Sequence, residues 1–369
     1  MIRLLAVDDS ALMRRLIGEV FAGEADVEVT FAKNGLEALA LLPELKPHVI
    51  TLDIQMPQMD GLACLDRIMI EHPCPVVMFS ALTGDGARET LDALSLGAVD
   101  FIPKPGGAIS LKVDVFGPLL VEKVRSASGA RLGGTHRLAE RVRLKTGGTA
   151  LAGRPLGRPR SVAAAARTRL SPVVDDSVER LVLIGSSTGG PPALDAVLAP
   201  LPADFPWPIV VAQHMPATFT GALATRLDRL CALSVREVVR PMVLEPGTVY
   251  IARGDADLII SRRSGALAAL PTPTSAAHRW HPSVDRMVDS ALEHVSAERL
   301  IGVLLTGMGD DGAAALSRLK AGGGRTIVEA EETAVVWGMP GALVRSGGAE
   351  AVLPLDQVAN GLTDLAGRS

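Results

Sequence analysis

The feature that most constrains the fold of this chain is an alternation of short apolar runs with amphipathic stretches. In residues 1–105 the predicted strands are 2–7, 27–32, 49–52, 76–79 and 101–102, and the predicted helices are 10–21, 35–42 and 86–96. Ser10 is the expected N-cap of the first helix. The alternation predicts a doubly wound parallel sheet, with functional groups at the carboxyl ends of its strands.

Residues 177–369 repeat the alternation and predict a second α/β unit. The predicted strands are 181–184, 209–212, 248–251, 258–260, 300–305, 326–328 and 351–353, and the predicted helices are 192–198, 218–230, 283–295 and 313–321. We expect residues 248–251 and 258–260, joined by residues 252–257, to form an antiparallel hairpin. At 369 residues the chain is long enough for two domains with separate cores.

Between the two units, residues 126–176 have the composition of a flexible linker. Residues 126–174 contain ten Lys and Arg against one acid, Glu140, and no aromatic residue. This charge of +9 leaves −13 for the rest of the chain, although the net charge is only −4. We interpret the segment as a solvated tether between domains at 1–125 and 177–369. The alternative is a contact with an acidic surface or nucleic acid, and the lack of aromatics disfavours a specific nucleic-acid site.

The composition is that of a globular protein, with 48% hydrophobic and 21% charged residues. Cys64, Cys74 and Cys231 are odd in number and lack metal-ligand spacing, so we expect reduced thiols in a cytosolic protein. The apolar stretch at the N-terminus is too short for a signal peptide, and no run is long enough to span a membrane. These features predict a cytoplasmic protein that is not embedded in a membrane.

Acidic side chains follow two predicted strands of the first unit. Asp8 and Asp9 follow the first strand, and Asp53 follows the third. Carboxylates gathered at one edge repel unless a cation joins them, and their oxygens suit Mg²⁺. Ser80 and Lys104, after the fourth and fifth strands, would bind a phosphoryl group there. Taken alone, the pair Asp8 and Asp9 is equally typical of a turn or a helix cap.

Residues 1–125 resemble the receiver domain of bacterial response regulators. The resemblance is carried by residues 7–10, 51–61, 80–81 and 101–105. It implies a flavodoxin-like fold with a five-stranded parallel sheet, and phosphorylation of Asp53 by a histidine kinase with Mg²⁺ held by Asp8, Asp9 and Asp53. The residues that it assigns to sensing the phosphoryl group are Ser80, Lys104 and Phe101.

Three segments of the second unit each follow an apolar run and carry one component of a hydrolytic site. Residues 185–189 fit the pattern G-x-S-x-G around Ser187, a turn that exposes a serine and leaves N–H groups free for an oxyanion. His214 follows the next strand, and Asp310 and Asp311 lie in a Gly-rich turn after another. Together they offer a nucleophile, a base and an orienting group. Singly, they are also typical of a phosphate-binding turn, a structural histidine and a turn cap.

The chain order Ser187, His214, Asp311 differs from the serine, acid, histidine order of α/β-hydrolases, so this motif does not indicate that fold. Residues 177–365 instead resemble the catalytic domain of the chemotaxis protein-glutamate methylesterase (CheB) family, an α/β domain with a mostly parallel sheet. The matching segments are 184–190, 213–219 with 226–227, 282–285, 305–312 and 336–340.

That resemblance implies that Ser187 is the nucleophile, His214 the base and Asp311 its orienting acid. Thr188 and Met308 fall at the oxyanion and substrate site. Motif spacing favours Asp311 over its neighbour Asp310. The chain departs from the family pattern at residues 278–281, which carry an extra pair of bulky residues before Pro282 and have no assigned role.

Together the two resemblances imply a phosphorylation-regulated serine hydrolase. It would demethylate glutamate methyl esters on methyl-accepting chemotaxis receptors, releasing methanol, and would deamidate receptor glutamines. Mg²⁺ would serve the receiver alone, hydrolysis would need no cofactor, and the protein would act as a monomer. Without phosphorylation the receiver would cover the catalytic cleft, and phosphorylation would shift the population toward an open form.

Two other functions stay open from the residues alone. One is a receiver-controlled hydrolase of another ester or amide. The other is a response regulator whose second domain only binds a partner or DNA, although no helix-turn-helix pattern ends the chain.

Overall fold

A computed structural model describes residues 1–105, 113–132 and 180–367. Most of the predicted linker lies outside these residues. Within the described ranges, no helix combines the length and the apolar character needed to cross a membrane.

The first unit is a five-stranded, entirely parallel sheet in the order β2-β1-β3-β4-β5, which confirms the predicted fold. Its strands are β1 (Ile2–Val7), β2 (Val27–Ala32), β3 (Val49–Asp53), β4 (Val76–Ser80) and β5 (Asp100–Pro103). Its helices are α1 (Ala11–Phe21), α2 (Gly35–Leu45), α3 (Gly61–Glu71), α4 (Gly84–Leu96) and α5 (Val113–Ser128).

Local sequence explains where these helices begin. Ser10, Asn34, Asp60 and Thr83 each accept a hydrogen bond from a backbone N–H group of the following first turn. The expected cap at Ser10 is therefore confirmed. β3 and β4 are buried along their whole length because helices cover both faces of the sheet, as in other parallel sheets.

The second unit contains a seven-stranded parallel sheet in the order β15-β14-β13-β6-β7-β10-β8 and a three-stranded antiparallel sheet in the order β11-β12-β9. The strands are β6 (Leu181–Ser186), β7 (Ile209–Gln213), β8 (Ser234–Val238), β9 (Met242–Val243), β10 (Thr248–Ala252), β11 (Asp257–Arg263), β12 (Ala266–Thr272), β13 (Leu300–Leu304), β14 (Arg325–Glu329) and β15 (Ala351–Leu353). The helices are α6 (Gly190–Leu198), α7 (Ala217–Leu230), α8 (Val284–Leu292), α9 (Ala313–Ala321), α10 (Met339–Arg345) and α11 (Leu355–Gly367), with a 3-10 turn at Ala297–Arg299.

The predicted hairpin of residues 248–251 with 258–260 is wrong. β10 is buried throughout and pairs in parallel with β7 on one side and β8 on the other, so no antiparallel partner fits beside it. β11 pairs instead with β12 across the two-residue turn Ser264-Gly265. Both turn residues have positive φ, 50° and 85°, which matches the twist of a tight hairpin.

Candidate active site and phosphorylation site

The order of the central strands gathers the three predicted hydrolytic segments at one sheet edge. β6 lies between β13 and β7, and all three run in parallel. Their carboxyl ends therefore lie side by side, and the segments around Ser187, His214 and Asp311 start there. This is the edge at which open parallel sheets bind ligands.

Ser187 lies in the turn between β6 and α6 and is 7% exposed. Its N–H donates to the Thr306 carbonyl across 3.0 Å, which ties the turn to the segment after β13. The two glycines of this turn, Gly189 and Gly190, have no room for a side chain. Gly189 has φ 76°, and a Cβ there would meet Val335 at 2.7 Å, while a Cβ on Gly190 would lie 1.9 Å from Gln213 Oε1.

His214 follows β7 and contacts Asp311. Its Nε2 lies 2.8 Å from Asp311 Oδ2, and its Nδ1 is buried without a partner among the described residues. The His214 N–H donates to the Ser186 carbonyl across 3.0 Å, so Ser187 and His214 leave neighbouring strands side by side. No hydrogen bond joins the Ser187 hydroxyl to His214 in the described part of the chain. The free Nδ1 is nevertheless the ring atom with a lone pair to offer when Nε2 carries the proton.

Asp311 is 7% exposed and accepts hydrogen bonds from the start of α8 as well as contacting His214. Its oxygens accept from Ser283 Oγ at 3.1 Å, Val284 N at 2.7 Å and Asp285 N at 3.0 Å. Burial alone would raise the pKa of the Asp311 carboxyl, but His214 and these backbone donors outweigh burial and lower that pKa. The carboxylate is therefore held in the ionised form that orients an imidazole. Asp310 is exposed to solvent.

Two backbone N–H groups beside Ser187 have no hydrogen-bond partner within the described residues. They belong to Thr188, in the turn after the nucleophile, and to Met308, in the turn after β13. The Thr188 side chain is engaged elsewhere, since its hydroxyl donates to Asp100 of the first unit at 2.5 Å. Thr188 and Met308 therefore each offer a backbone donor for the predicted oxyanion site.

Sequence reasoning missed the contribution of Gln213, which links the two strand ends. Its Oε1 accepts from Ser186 Oγ at 2.7 Å, and its Nε2 donates to the carbonyls of Ser187 at 2.9 Å and His214 at 3.1 Å. Its position at the end of β7 is the only signal that the sequence offers. A buried glutamine at a strand end has many possible partners, and the pattern does not select one.

Sequence reasoning also assigned no contact to residues 278–281. The structure places the Trp280 ring against His214, with ring centroids 5.3 Å apart and planes 12° apart. The adjacent His281 Nδ1 lies 2.9 Å from Asp257 Oδ1. The departure of this segment from the family pattern was the available signal.

In the first unit, the expected acids and lysine meet at the carboxyl ends of β1, β3 and β5. Ligand oxygens of Asp8, Asp9 and Asp53 lie within 4.8 Å of one another. Lys104 Nζ lies 2.7 Å from Asp53 Oδ2 and 3.2 Å from Asp8 Oδ2, and those buried oxygens have no other partner among the described residues. Burial raises the pKa of the Asp53 carboxyl in spite of the Lys104 ammonium. Three carboxylates whose oxygens lie this close together are a donor set that fits Mg²⁺.

The side chains of Ser80 and Phe101 contact groups outside this acidic cluster. The Ser80 hydroxyl accepts from Thr90 Oγ1 at 2.5 Å and donates to the Gly86 carbonyl at 3.2 Å, so it faces α4. The Phe101 ring packs against Phe219 of α7, in the second unit, with centroids 4.4 Å apart. Ser80 thus contacts α4 and Phe101 contacts α7, and these two helices pack against each other.

The first unit covers the turn that carries Ser187. Besides the bond from Thr188 to Asp100, the Gly189 N–H donates to the Val99 carbonyl at 3.1 Å. Lys123 Nζ lies 2.7 Å from Asp100 Oδ2 and balances its charge. The start of β5 thus contacts the two residues that follow the predicted nucleophile.

Further contacts join the two units at other points. Arg226 of α7 donates to the Leu91 carbonyl at 2.8 Å and to Ser95 Oγ, both in α4. After α5, Arg131 N donates to the Val335 carbonyl at 3.1 Å, and its guanidinium pairs with Glu331 at 2.7 Å.

A cleft of about 910 Å³ remains between α5 and the turn at Met308 and Gly309. A second cleft, of about 660 Å³, lies between α4 and α7, and elsewhere α4 packs directly against α6 and α7.

Comparison with known families defines the class of this protein. Residues 4–115 match the response regulator receiver domain, and residues 182–362 match the CheB methylesterase. The chain is thus a response regulator with an output domain of the methylesterase type.

Curated relatives extend over nearly the whole chain. A protein named protein-glutamate methylesterase/protein-glutamine glutaminase 2 from Rhodopseudomonas palustris is 58% identical over 359 residues, 97% of this chain and 96% of that protein. One named protein-glutamate methylesterase/protein-glutamine glutaminase 3 from Rhodospirillum rubrum is 50% identical over 367 residues, 98% of this chain and 95% of that protein. The CheB methylesterase catalytic domain of Thermotoga maritima, a crystal structure, is 41% identical with a TM-score of 0.49, covering 50% of this chain and 98% of that one. The chain belongs to the protein-glutamate methylesterase/protein-glutamine glutaminase (CheB) family.

Proposed function

We propose that the chain is a phosphorylation-regulated serine hydrolase that removes methyl esters from glutamates of chemotaxis receptors and deamidates receptor glutamines. One observation carries the proposal: His214 is bound to the ionised Asp311 through Nε2, its buried Nδ1 has no hydrogen-bond partner among the described residues, and its backbone N–H binds the carbonyl of Ser186, the residue before Ser187. A base with one free lone pair beside a serine is what acyl transfer requires.

In the proposed reaction, Ser187 Oγ attacks the γ-carbonyl carbon of a glutamyl methyl ester as its proton passes to His214 Nδ1. Asp311 stabilises the imidazolium that forms. The N–H groups of Thr188 and Met308 stabilise the oxyanion of the tetrahedral intermediate. The imidazolium then returns the proton to the departing methoxide, so methanol leaves and an acyl-serine remains.

Hydrolysis of the acyl-serine uses the same groups in reverse. His214 Nδ1 takes a proton from water as the hydroxide adds to the acyl carbon, and then returns it to Ser187 Oγ. The receptor glutamate is released with the serine restored. With a glutamine substrate the first leaving group is ammonia, and the later steps are unchanged.

In the receiver, Asp53 is the proposed phosphoacceptor and a chemotaxis histidine kinase the donor. Asp8, Asp9 and Asp53 would hold Mg²⁺, which supplies positive charge for the phosphoryl oxygens when bound. The Lys104 ammonium, 2.7 Å from Asp53, would pair with the transferred group. Ser80 would transmit the structural change caused by phosphorylation to α4, and Phe101 would transmit it to α7. Hydrolysis at Ser187 would need no cofactor.

Contacts over the active-site turn support the proposed regulation. Asp100 and Val99 bind Thr188 and Gly189, so a receptor segment reaches Ser187 only after these contacts open. Phosphorylation would favour the open population. The substrates would be methyl-accepting receptors, the protein would act as a monomer in the cytoplasm, and residues 126–176 would be the tether that permits opening.

Methanol release from methylated receptor, with and without a small-molecule phosphodonor, tests the function. We expect release from the full-length chain, a higher rate with phosphodonor, and no release above background from Ser187→Ala. Release that persists in Ser187→Ala would remove Ser187 from its role. Release from small esters but not from methylated receptor would contradict the proposed substrate.

A further inference from the structure

Trp280 is the aromatic residue that contacts the proposed base. Its ring lies nearly parallel to the His214 imidazole, with centroids 5.3 Å apart and planes 12° apart. The same ring packs against the turn after β13, where a Cβ added to Gly309 would meet Trp280 Nε1 at 3.3 Å. Trp280 therefore fills the space between the base and the turn that carries Met308.

The orientation of the imidazole needs a second contact besides Asp311. The bond from Nε2 to Asp311 holds one ring atom but leaves the ring free to rotate about that bond. Because Nδ1 must point at the Ser187 hydroxyl, rotation of the ring plane moves the lone pair off its target. A flat side chain stacked on the imidazole face restricts that rotation, and offset aromatic pairs at this separation attract each other.

The segment that carries Trp280 is anchored within the catalytic unit on its C-terminal side. His281 Nδ1 and Arg286 Nη1 lie 2.9 Å and 2.6 Å from the two oxygens of Asp257, which is 1% exposed. The Ser283 N–H donates to the same carboxylate at 3.0 Å. A buried carboxylate with hydrogen-bond partners on both oxygens, one of them the Arg286 guanidinium, gives this side of the segment a rigid attachment.

On its other side, the segment is connected to the receiver through Arg279. The Arg279 guanidinium lies 4.9 Å from the centroid of the Trp280 ring. The same group pairs with Glu122 of α5 at 2.8 Å, across the cleft between the two units. A series of side-chain contacts thus links Glu122 of the receiver to Arg279, Arg279 to Trp280, and Trp280 to the proposed base.

We infer that Trp280 is a positioning residue for His214, and that the ion pair of Arg279 with Glu122 makes its position depend on where the receiver lies. The inference rests on the proposed hydrolysis. It concerns residues 279 and 280, in the segment where the chain departs from the family pattern.

The first experiment separates stacking from simple filling of space. Trp280→Phe keeps a flat ring over the imidazole, and Trp280→Leu keeps an apolar side chain without one. For methanol release by the full-length chain, we expect kcat within about threefold of the original for Phe and about tenfold or more lower for Leu, with KM little changed, because only the orientation of the base is lost. Melting temperatures of both variants serve as the check on folding.

Two outcomes would overturn the role of Trp280. Equal kcat values for the Phe and Leu variants would show that a flat ring is not needed. A change confined to KM would make Trp280 a substrate contact. The proposed function is judged separately, since methanol release by the unchanged chain and its loss in Ser187→Ala do not depend on Trp280.

The second experiment tests the connection to the receiver by a double-mutant cycle without phosphodonor. Glu122→Gln and Arg279→Gln should each change the rate by about two- to fivefold, and the double variant should match the single ones, since all three remove one exposed ion pair. In the Trp280→Leu background, Glu122→Gln should have no further effect. Glu24→Gln, which alters another carboxylate beside the same cleft, is the matched control and should leave the rate unchanged. An unchanged effect of Glu122→Gln in the Trp280→Leu background would overturn the connection.

Discussion

The two adjacent acids after β13 differ only in what their carboxylates contact. Asp311 accepts hydrogen bonds from Ser283, Val284 and Asp285 and binds His214, whereas Asp310 is exposed. Residue type alone cannot show which of the two aspartates orients the base. The hydrogen-bond donors that distinguish them lie at the start of α8, more than 20 positions earlier in the chain. Motif spacing favoured Asp311 in the sequence. No sequence motif predicts the contact of Trp280 with His214.

These contacts predict opposite results for the two neighbours. Asp311→Asn should lower kcat for methanol release by about 10³- to 10⁴-fold, because an amide no longer holds the imidazole in the required tautomer. Asp310→Asn should leave kcat unchanged and serves as the matched control. Equal losses in both variants, measured on receptor at saturating concentration, would contradict the assignment of Asp311 as the orienting acid.

A buried acid below the active-site turn predicts a pH dependence of stability. Glu329 at the end of β14 is fully buried, and burial raises its pKa to about 7 even though Oε2 accepts from Thr306 N at 2.7 Å. Since the folded pKa lies above the unfolded value, the protein loses stability as pH rises between about 4.5 and 7 and then levels off.

Glu329→Gln keeps an acceptor oxygen for Thr306 but cannot ionise. It should therefore be more stable than the unchanged chain at pH 8, by on the order of 1–3 kcal/mol, and the gain should shrink toward pH 5. Urea unfolding at the two pH values measures the difference. Glu332→Gln, on the exposed loop nearby, should show no such gain. A gain that is larger at pH 5 than at pH 8 would reverse the sign and refute the argument.

At the level of elements, the apolar runs predicted most strands but not all strand pairing. β8 was missed because Arg236 and Glu237 interrupt its apolar pattern at the edge of the sheet. Without β8 and β12, the pattern left β10 and β11 as apparent partners. β10 is buried between two neighbouring strands. A run of apolar residues predicts that a strand is buried but does not identify the strands that pair with it. By contrast, the alternation of strands with helices correctly predicted that the strands of the main sheets run in parallel.

The turn between β6 and α6 predicts the result of a glycine substitution. Gly190, the first residue of α6, has no room for a side chain beside Gln213, and Gln213 binds the carbonyls of Ser187 and His214. Gly190→Ala should therefore destabilise the protein by about 1–3 kcal/mol and lower kcat. Gly84 is also the first residue of a helix, α4, but has nothing within 4 Å of an added Cβ. Gly84→Ala should leave both quantities nearly unchanged, and a similar loss in the two variants would show that space beside Gln213 is not the cause.

At the level of the whole molecule, β5 connects the two sites. Lys104, just after its carboxyl end, faces Asp53, and Asp100, at its start, binds Thr188. Phe101 between them packs on Phe219 of α7. A short strand is stiff along its length, so we expect a shift at the proposed phosphorylation site to reach the contact with Thr188 through the four residues of β5. We therefore expect Asp100 to be a receiver residue that restrains the turn carrying Ser187.

Removing that restraint should mimic phosphorylation in part. Asp100→Ala deletes the acceptor for Thr188 and should raise the rate of methanol release without phosphodonor by about three- to tenfold, because one hydrogen bond to a charged group no longer favours the closed form. Asp100→Asn retains an acceptor oxygen and should change the rate less. Adding Asp53→Asn should abolish the response to phosphodonor but leave the raised rate of Asp100→Ala intact, since the contact acts after the phosphoryl group. If Asp53→Asn instead returned the rate of Asp100→Ala to that of the unchanged chain, the contact with Thr188 would not be the restraint that phosphorylation releases.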